Sequence, residues 1–181
     1  ADHSLASLRS LDASAGWAGF GGTHIPLLAE VLELIKDSDA VANVELKTDT
    51  IRYHGIEERV LDVVAASGVG ERVIFSSFNH YTLRNLRKLG ATQPVGALVS
   101  DRLFKPWRYL LTLEAEALHP SVGAATAKLV RKCHERGQRV HVWTADKPKD
   151  INRLLRAGVD AIITNVPEVA IGLRDGVAVT R

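Results

Sequence analysis

Four glycines each close a helix-like stretch, and each is followed by a short apolar run. This repeat confines the chain to a parallel α/β architecture. The endings are AASG at Gly68, RKLG at Gly90, HERG at Gly137 and LRAG at Gly158. Glycine enters the left-handed conformation that ends a helix without a Cβ clash. The runs that follow, RVIFSS, PVGALVS, RVHVWTA and DAIIT, are rich in Val and Ile, as buried strands are. The glycines are spaced by 22, 47 and 21 residues, so the middle interval holds one more unit. AVANVELK before the first capped helix and EAEALHP inside the long interval supply two further strands. Six strands are therefore expected near 42–47, 72–76, 94–99, 115–118, 139–144 and 160–163. The helices between them carry one apolar stripe each, as in Val60, Val63, Val64 or Leu83, Leu86, Leu89, and cover one face of a sheet.

Two architectures use such a repeat. A doubly wound sheet announces itself by a Gly-rich phosphate loop after its first strand, and neither G-x-G-x-x-G nor a P-loop occurs. A (β/α)8 barrel of the TIM type fits the even period, but it takes eight units and about 250 residues. With 181 residues the chain reads as a single partial TIM-barrel domain, residues 1–181, whose first two units are missing. Strands three to eight occupy 40–181. Residues 1–26 form an excursion between units two and three, with LASLRSLDA as a short amphipathic helix and GWAGFGGTHIP as a Gly-rich loop.

Composition removes several function classes. A net charge of +2, with no Lys/Arg cluster interleaved with aromatics, argues against nucleic acid as a partner. The one cysteine, Cys133, excludes an internal disulfide and reads as core. No apolar run approaches the roughly 18 residues of a transmembrane segment, and Ala1 opens on a polar stretch without a signal-peptide pattern. The expectation is a soluble, cytoplasmic protein. The chain contains no Met, so Ala1 need not be where the gene product starts.

Barrel enzymes gather their reactive groups at the C-terminal ends of the strands. Those ends carry Glu45, Lys47 and Asp49; Ser76, Ser77 and Phe78; Ser100 and Asp101; His119; Trp143, Thr144 and Asp146; Thr164 and Asn165. In NVELK, alternation puts Val44 and Leu46 on one face and Asn43, Glu45 and Lys47 on the other, which becomes the barrel interior if Val44 and Leu46 pack under the helices. Two readings compete for a carboxylate and an ammonium inside a strand. One is an ion pair that holds the barrel together, although apolar residues would pack a lumen as well. The other is a metal-ligand carboxylate beside a cationic clamp for phosphate or oxyanion.

Several segments resemble the glycerophosphodiester phosphodiesterase family. LASLRSLDA and GTHIPLLAEVLELI resemble its stretch after the second strand, NVELK its third strand, VIFSSFNHYTLRNLRKL its fourth strand and helix, and VHVWTADKPKDINRLLRAGVDAIITNVP its last two units. The resemblance implies metal-dependent hydrolysis of glycerophosphodiesters to glycerol 3-phosphate and an alcohol, with a divalent cation, Mg2+ or Ca2+, as cofactor and a small glycerophosphodiester as partner. Glu45 matches the family's metal-ligand glutamate, Lys47 the catalytic lysine at the phosphate, and Trp143 the aromatic that lines the substrate cleft. Phe78 and His119 are further substrate-binding candidates, each with packing as its alternative. Asp146 and Asn165 stand where the family more usually has Asn and Asp, which bears on substrate preference.

The family's first strand, with His-Arg-Gly and then Glu-x-Asp, and the His-Asp that ends its second strand have no counterpart in residues 1–181. Those histidines are the family's general acid and base. His3, His24, His54, His80, His134 and His141 read as surface or packing residues instead. Three functions stay open: a phosphodiesterase whose chain is incomplete and inactive alone, a noncatalytic barrel remnant serving as scaffold or interaction domain, and a barrel enzyme in which Lys47 forms a Schiff base. Without two adjacent strands, the NVELK and DAIIT strands become open edges, expected to hold a second copy of the chain or a separate N-terminal segment.

Overall fold

The computed structural model describes residues 3–176. It divides into two compact units: one runs up to Ala42 and resumes over Tyr53–Val73, and the other comprises Asn43–Arg52 and the chain from Ile74 onward.

The first unit carries three helices, α1 (Leu5–Arg9), α2 (Leu28–Leu34) and α3 (Ile56–Ser67). Ser4 caps α1 by accepting from Ser7 N–H, so the short helix foreseen in LASLRSLDA forms. Glu30 reaches back to Leu27 N–H at 2.7 Å and pairs with Arg9 at 2.9 Å. Beyond α2, the Arg72 guanidinium donates to the carbonyls of Ile35, Lys36, Ser38 and Ala40. A helix end leaves such carbonyls without partners, and the planar fork of arginine suits several at once.

The second unit carries the sheet, except that Ala42 and Val73, the first residues of its first two strands, fall in the first unit. Its strands are β1 (Ala42–Glu45), β2 (Val73–Ser77), β3 (Val95–Val99), β4 (Ala117–Pro120), β5 (Arg139–Val142) and β6 (Ala161–Ile162). Every bound lies within two residues of its sequence expectation. The order across the sheet is β1-β2-β3-β4-β5-β6, and the ladders from β2 to β6 are parallel. A doubly wound sheet reverses its order at a switch point. A run in strict chain order is the winding of a (β/α)8 barrel.

Between the strands lie α4 (His80–Lys88), α5 (Pro106–Leu113), α6 (Ala127–His134) and α7 (Pro148–Ala157), with α8 (Pro167–Asp175) last. Leu83 and Leu86 of α4, Leu110 and Leu113 of α5, Val130 and Cys133 of α6, and Ile151 and Leu154 of α7 are buried, as are Phe75, Val95, Val99, Leu118, Val140 and Val142 of the strands. Cys133 is core, and burial pushes its thiol up to about 11. Leu89, expected on the α4 stripe, is exposed instead, because α4 ends at Lys88 and the chain turns away. The doubled glycine interval also has its reason: α5 ends on Glu114 in the left-handed conformation, φ 54°, where the other endings use glycine.

Parallel neighbours in register share a face. Ser76 pairs with Gly96 and Leu98 with His119, and alternation adds His141 to the face they form. Leu46 N–H donates to Ser76 O at 2.8 Å and sets β1 beside β2. This inner face is unusually polar.

Candidate active site

β1 is shorter than the alternation in NVELK implies. It closes at Glu45, and Lys47 stands beyond it with 76% of its side chain exposed against 29% for Glu45. Lys47 is therefore a rim residue just past the strand, on the side of Glu45 where alternation put it, and the expected strand end at 47 is corrected to Glu45. Its Nζ donates to Glu45 Oε1 at 2.8 Å.

The direction of Lys47 is imposed by its neighbours, of which only Ser77 was singled out in the sequence. Ser77 Oγ donates to Leu46 O at 2.6 Å, Asn79 Nδ2 donates to Thr48 O at 2.9 Å, and the hydroxyls of Thr48 and Thr82 lie 2.6 Å apart. Leu46 and Thr48 are buried by these contacts, so Lys47 between them points out. Asn79 also caps α4 by accepting from Tyr81 N–H. An Asn just before a helical pattern was a legible signal; its second bond to Thr48 was not.

Trp143 follows β5, and its ring meets Phe78, just past β2, edge-on at 5.3 Å between centroids and 87° between planes. Its indole Nε1–H donates to His119 O at 2.7 Å, which fixes the ring. A cavity of about 520 Å³ opens beside this pair, lined among others by Phe78, His80, Leu98, Ser100, Phe104 and Tyr109.

His119, expected to line the cleft, is wholly buried in β4, and its ring does not reach open space. The ring lies against Gly96, where any Cβ would overlap it, and 4.7 Å from the His141 ring. Neither ring nitrogen has a hydrogen-bond partner, nor does the buried Ser76 Oγ. Burial, followed by the nearby His141, lowers His119 to about 3. What His119 gives the cleft is its carbonyl. His141 is buried too, and burial is the leading cause of its own lowered value. The Leu98 carbonyl can only accept, so His80 Nε2 donates to it at 2.9 Å while Nδ1 accepts from Tyr109 Oη at 2.8 Å. His134 meets Asp160 at 2.8 Å on the surface.

Asp146 and Asn165, noted as exchanged, bond to each other. Asp146 accepts from Thr164 Oγ1, Asn165 N–H and Asn165 Nδ2 at 2.8–2.9 Å, which lowers its pKa. The carboxylate and amide form one clasp between the rims of β5 and β6. Asn165→Asp alone sets two carboxylates face to face, and the amides of residues 164–166 are expected to exchange roughly tenfold faster by NMR. Adding Asp146→Asn should restore their protection.

Among the described residues no three His, Cys, Asp or Glu side chains gather closely enough to hold a metal ion, and the Glu45 carboxylate is engaged by Lys47. Glu45 alone does not make a metal centre.

Residues 1–169 match the profile of the glycerophosphoryl diester phosphodiesterase family. The chain belongs to that family. It is 40% identical over 173 residues to a glycerophosphodiester phosphodiesterase of Caldanaerobacter subterraneus, covering 95% of this chain and 71% of that one. A glycerophosphodiester phosphodiesterase of Bacillus altitudinis is 35% identical over 178 residues, 96% of this chain and 73% of its own length. The phosphodiesterase of Oleispira antarctica, solved in complex with the product sn-glycerol-3-phosphate, superimposes with a TM-score of 0.79 at 26% identity, over 95% of this chain and 70% of that one. The six-stranded sheet of this glycerophosphoryl diester phosphodiesterase family member is thus shared with solved relatives, and no helix among its described residues is long and apolar enough to cross a membrane.

Proposed function

We propose that the chain carries one side of the cleft of a metal-dependent phosphodiesterase that hydrolyses glycerophosphodiesters to glycerol 3-phosphate and an alcohol. The observation that carries this reading is the Glu45–Lys47 pair on the rim after β1, in a family whose named relatives are glycerophosphodiester phosphodiesterases. The glycerol-3-phosphate held by the Oleispira antarctica protein supports the product assignment.

Glu45 would supply one carboxylate to a divalent cation, Mg2+ or Ca2+, and its remaining ligands would come from outside residues 3–176. Lys47, free to turn in water, releases Glu45 and meets the phosphoryl oxygens as a compact positive charge. Phe78 and Trp143 form the apolar wall. The histidines of the unit that carries the sheet are not free for proton transfer: His80 has both nitrogens committed, His134 faces Asp160, and His119 and His141 are buried. The proton-transfer groups are therefore assigned outside that unit. The chain by itself is therefore inactive, and a second copy or an N-terminal segment docks at β1 and β6. A cytoplasmic location belongs to the same reading.

The lack of a three-ligand metal cluster among the described residues favours one competitor, a noncatalytic scaffold. A Schiff-base role for Lys47 fares worse, since a nucleophilic lysine needs an apolar pocket and this one is exposed and ion-paired.

The test uses a form of the protein that hydrolyses glycerophosphocholine. Glu45→Ala is expected to weaken cation binding by calorimetry roughly 10- to 100-fold, with a steep loss of turnover. Lys47→Ala should lower kcat roughly 100-fold while cation affinity holds. Unchanged cation affinity without Glu45 would overturn the assignment, and robust turnover by residues 1–181 alone would show that the proton-transfer groups lie within this chain.

A further inference from the structure

A second cavity, of about 480 Å³, adjoins the one beside Phe78 and shares Val99, Asp101, Leu103 and Phe104 with it, but Phe78 and His80 do not line it. Its apolar lining includes Trp107 of α5, Leu129 of α6 and Pro120 of β4, backed by the fully buried Leu118. Its rim is cationic, with Arg102, Lys105 and Lys128 against the single carboxylate of Asp101.

The rim charges are placed differently. Arg102 is fixed, its Nε and Nη2 donating to Gly123 O at 3.2 and 2.9 Å. No carboxylate among the described residues pairs with Lys105 or Lys128, so both ammonium groups remain available to a ligand. Lys105 Nζ sits 4.7 Å from the centroid of Phe104, and that ring is 86% exposed although it borders an apolar hollow on each side. Lys105 itself holds a left-handed backbone, φ 52°, which a non-glycine residue adopts at a cost. The loop thus holds an aromatic side chain and its cation at the mouth of the cavity, outside it.

An apolar floor large enough for an alkyl chain, closed by a rim with two unpaired ammonium groups and one fixed guanidinium, selects one chemistry. We propose that this cavity binds a single-chain anionic amphiphile, with the chain on Trp107, Pro120 and Leu129 and the anionic head between Lys105 and Lys128. Phe104 closes over the chain. A neutral chain lacks the partner that the rim calls for, and a small anion lacks the floor.

The experiment measures binding of dodecyl phosphate, below its micelle threshold, by the quenching of tryptophan fluorescence and by calorimetry. Saturable binding with a Kd on the order of 10 μM is expected. Dodecanol and inorganic phosphate should each bind at least roughly tenfold more weakly. Lys105→Glu with Lys128→Glu should weaken dodecyl phosphate roughly tenfold or more, and Leu129→Gln should weaken it through the floor, with circular dichroism confirming the fold of each variant. Four outcomes overturn the proposal: no saturable binding, equal binding of dodecanol, binding insensitive to the double charge reversal, or binding only of the protein to vesicles and never to the monomeric probe. None of them depends on hydrolysis or on Glu45, so this proposal and the phosphodiesterase reading fail separately.

Discussion

Gly96→Ala is expected to destabilise the protein by about 3 kcal/mol and to lower its thermal midpoint by roughly 6–12 °C, large effects for one methyl group. The Cβ would come within 2.6 Å of His119 Cδ2, and closer still to Cε1 and Nε2. The ring cannot step aside, since it is wholly buried and the His141 ring lies 4.7 Å away. His119→Ala alone costs less than an ordinary large-to-small change, because two nitrogens without partners leave the interior with the ring. Combined with Gly96→Ala, it turns the clash into a filled space. The double variant should therefore melt above Gly96→Ala alone, a non-additivity that a double-mutant cycle reads directly. Additive losses would mean that ring and glycine do not meet.

The same ring makes stability depend on pH. Buried His119 titrates at about 3, against 6.5 for a free imidazole, so the folded protein binds fewer protons than the unfolded chain between those values. Its contribution is complete above pH 6.5 and is lost as pH falls toward 3, which amounts to about 2 kcal/mol between pH 7.5 and pH 5. His141 acts in the same direction: burial lowers it most, Arg139 lowers it further, and Asp160 opposes them. The exposed carboxylates Glu30, Asp146 and Glu135, all lowered by their partners, add losses only at lower pH. Urea midpoints at pH 7.5, 6 and 5 should fall in sequence, and His119→Asn should flatten most of that slope. An unchanged slope in that variant would assign the effect elsewhere.

Four of the strands were legible because each is a short Val/Ile run just after a helix-ending glycine, and both signals are local. Where one of them failed, the reading thinned: Glu114 ends α5 in a conformation that its side chain hides from any sequence pattern. The rim was legible at Glu45, Phe78 and Trp143, which stand at or just past strand ends. At Lys47 alternation gave the right side, shared with Glu45, while its degree of exposure depends on Ser77, Asn79 and Thr82, which bury the residues on either side. At His119 the sequence left cleft lining and packing open, and the structure shows packing. Its surroundings depend on register across β3, β4 and β5, which no single strand discloses, although a lone glycine within PVGALVS is a recognised sign of close approach.

Strand order equal to chain order also fixes a timetable. Each strand from β2 onward finds its hydrogen-bonding partner in the strand made just before it, so a chain leaving the ribosome can add one unit at a time to a sheet already begun. Loop closure between neighbours stays short, and assembly need not wait for the C-terminus. Nascent chains halted after α4 or α6 would thus already hold the earlier ladders, and synthesis and folding would run in the same direction.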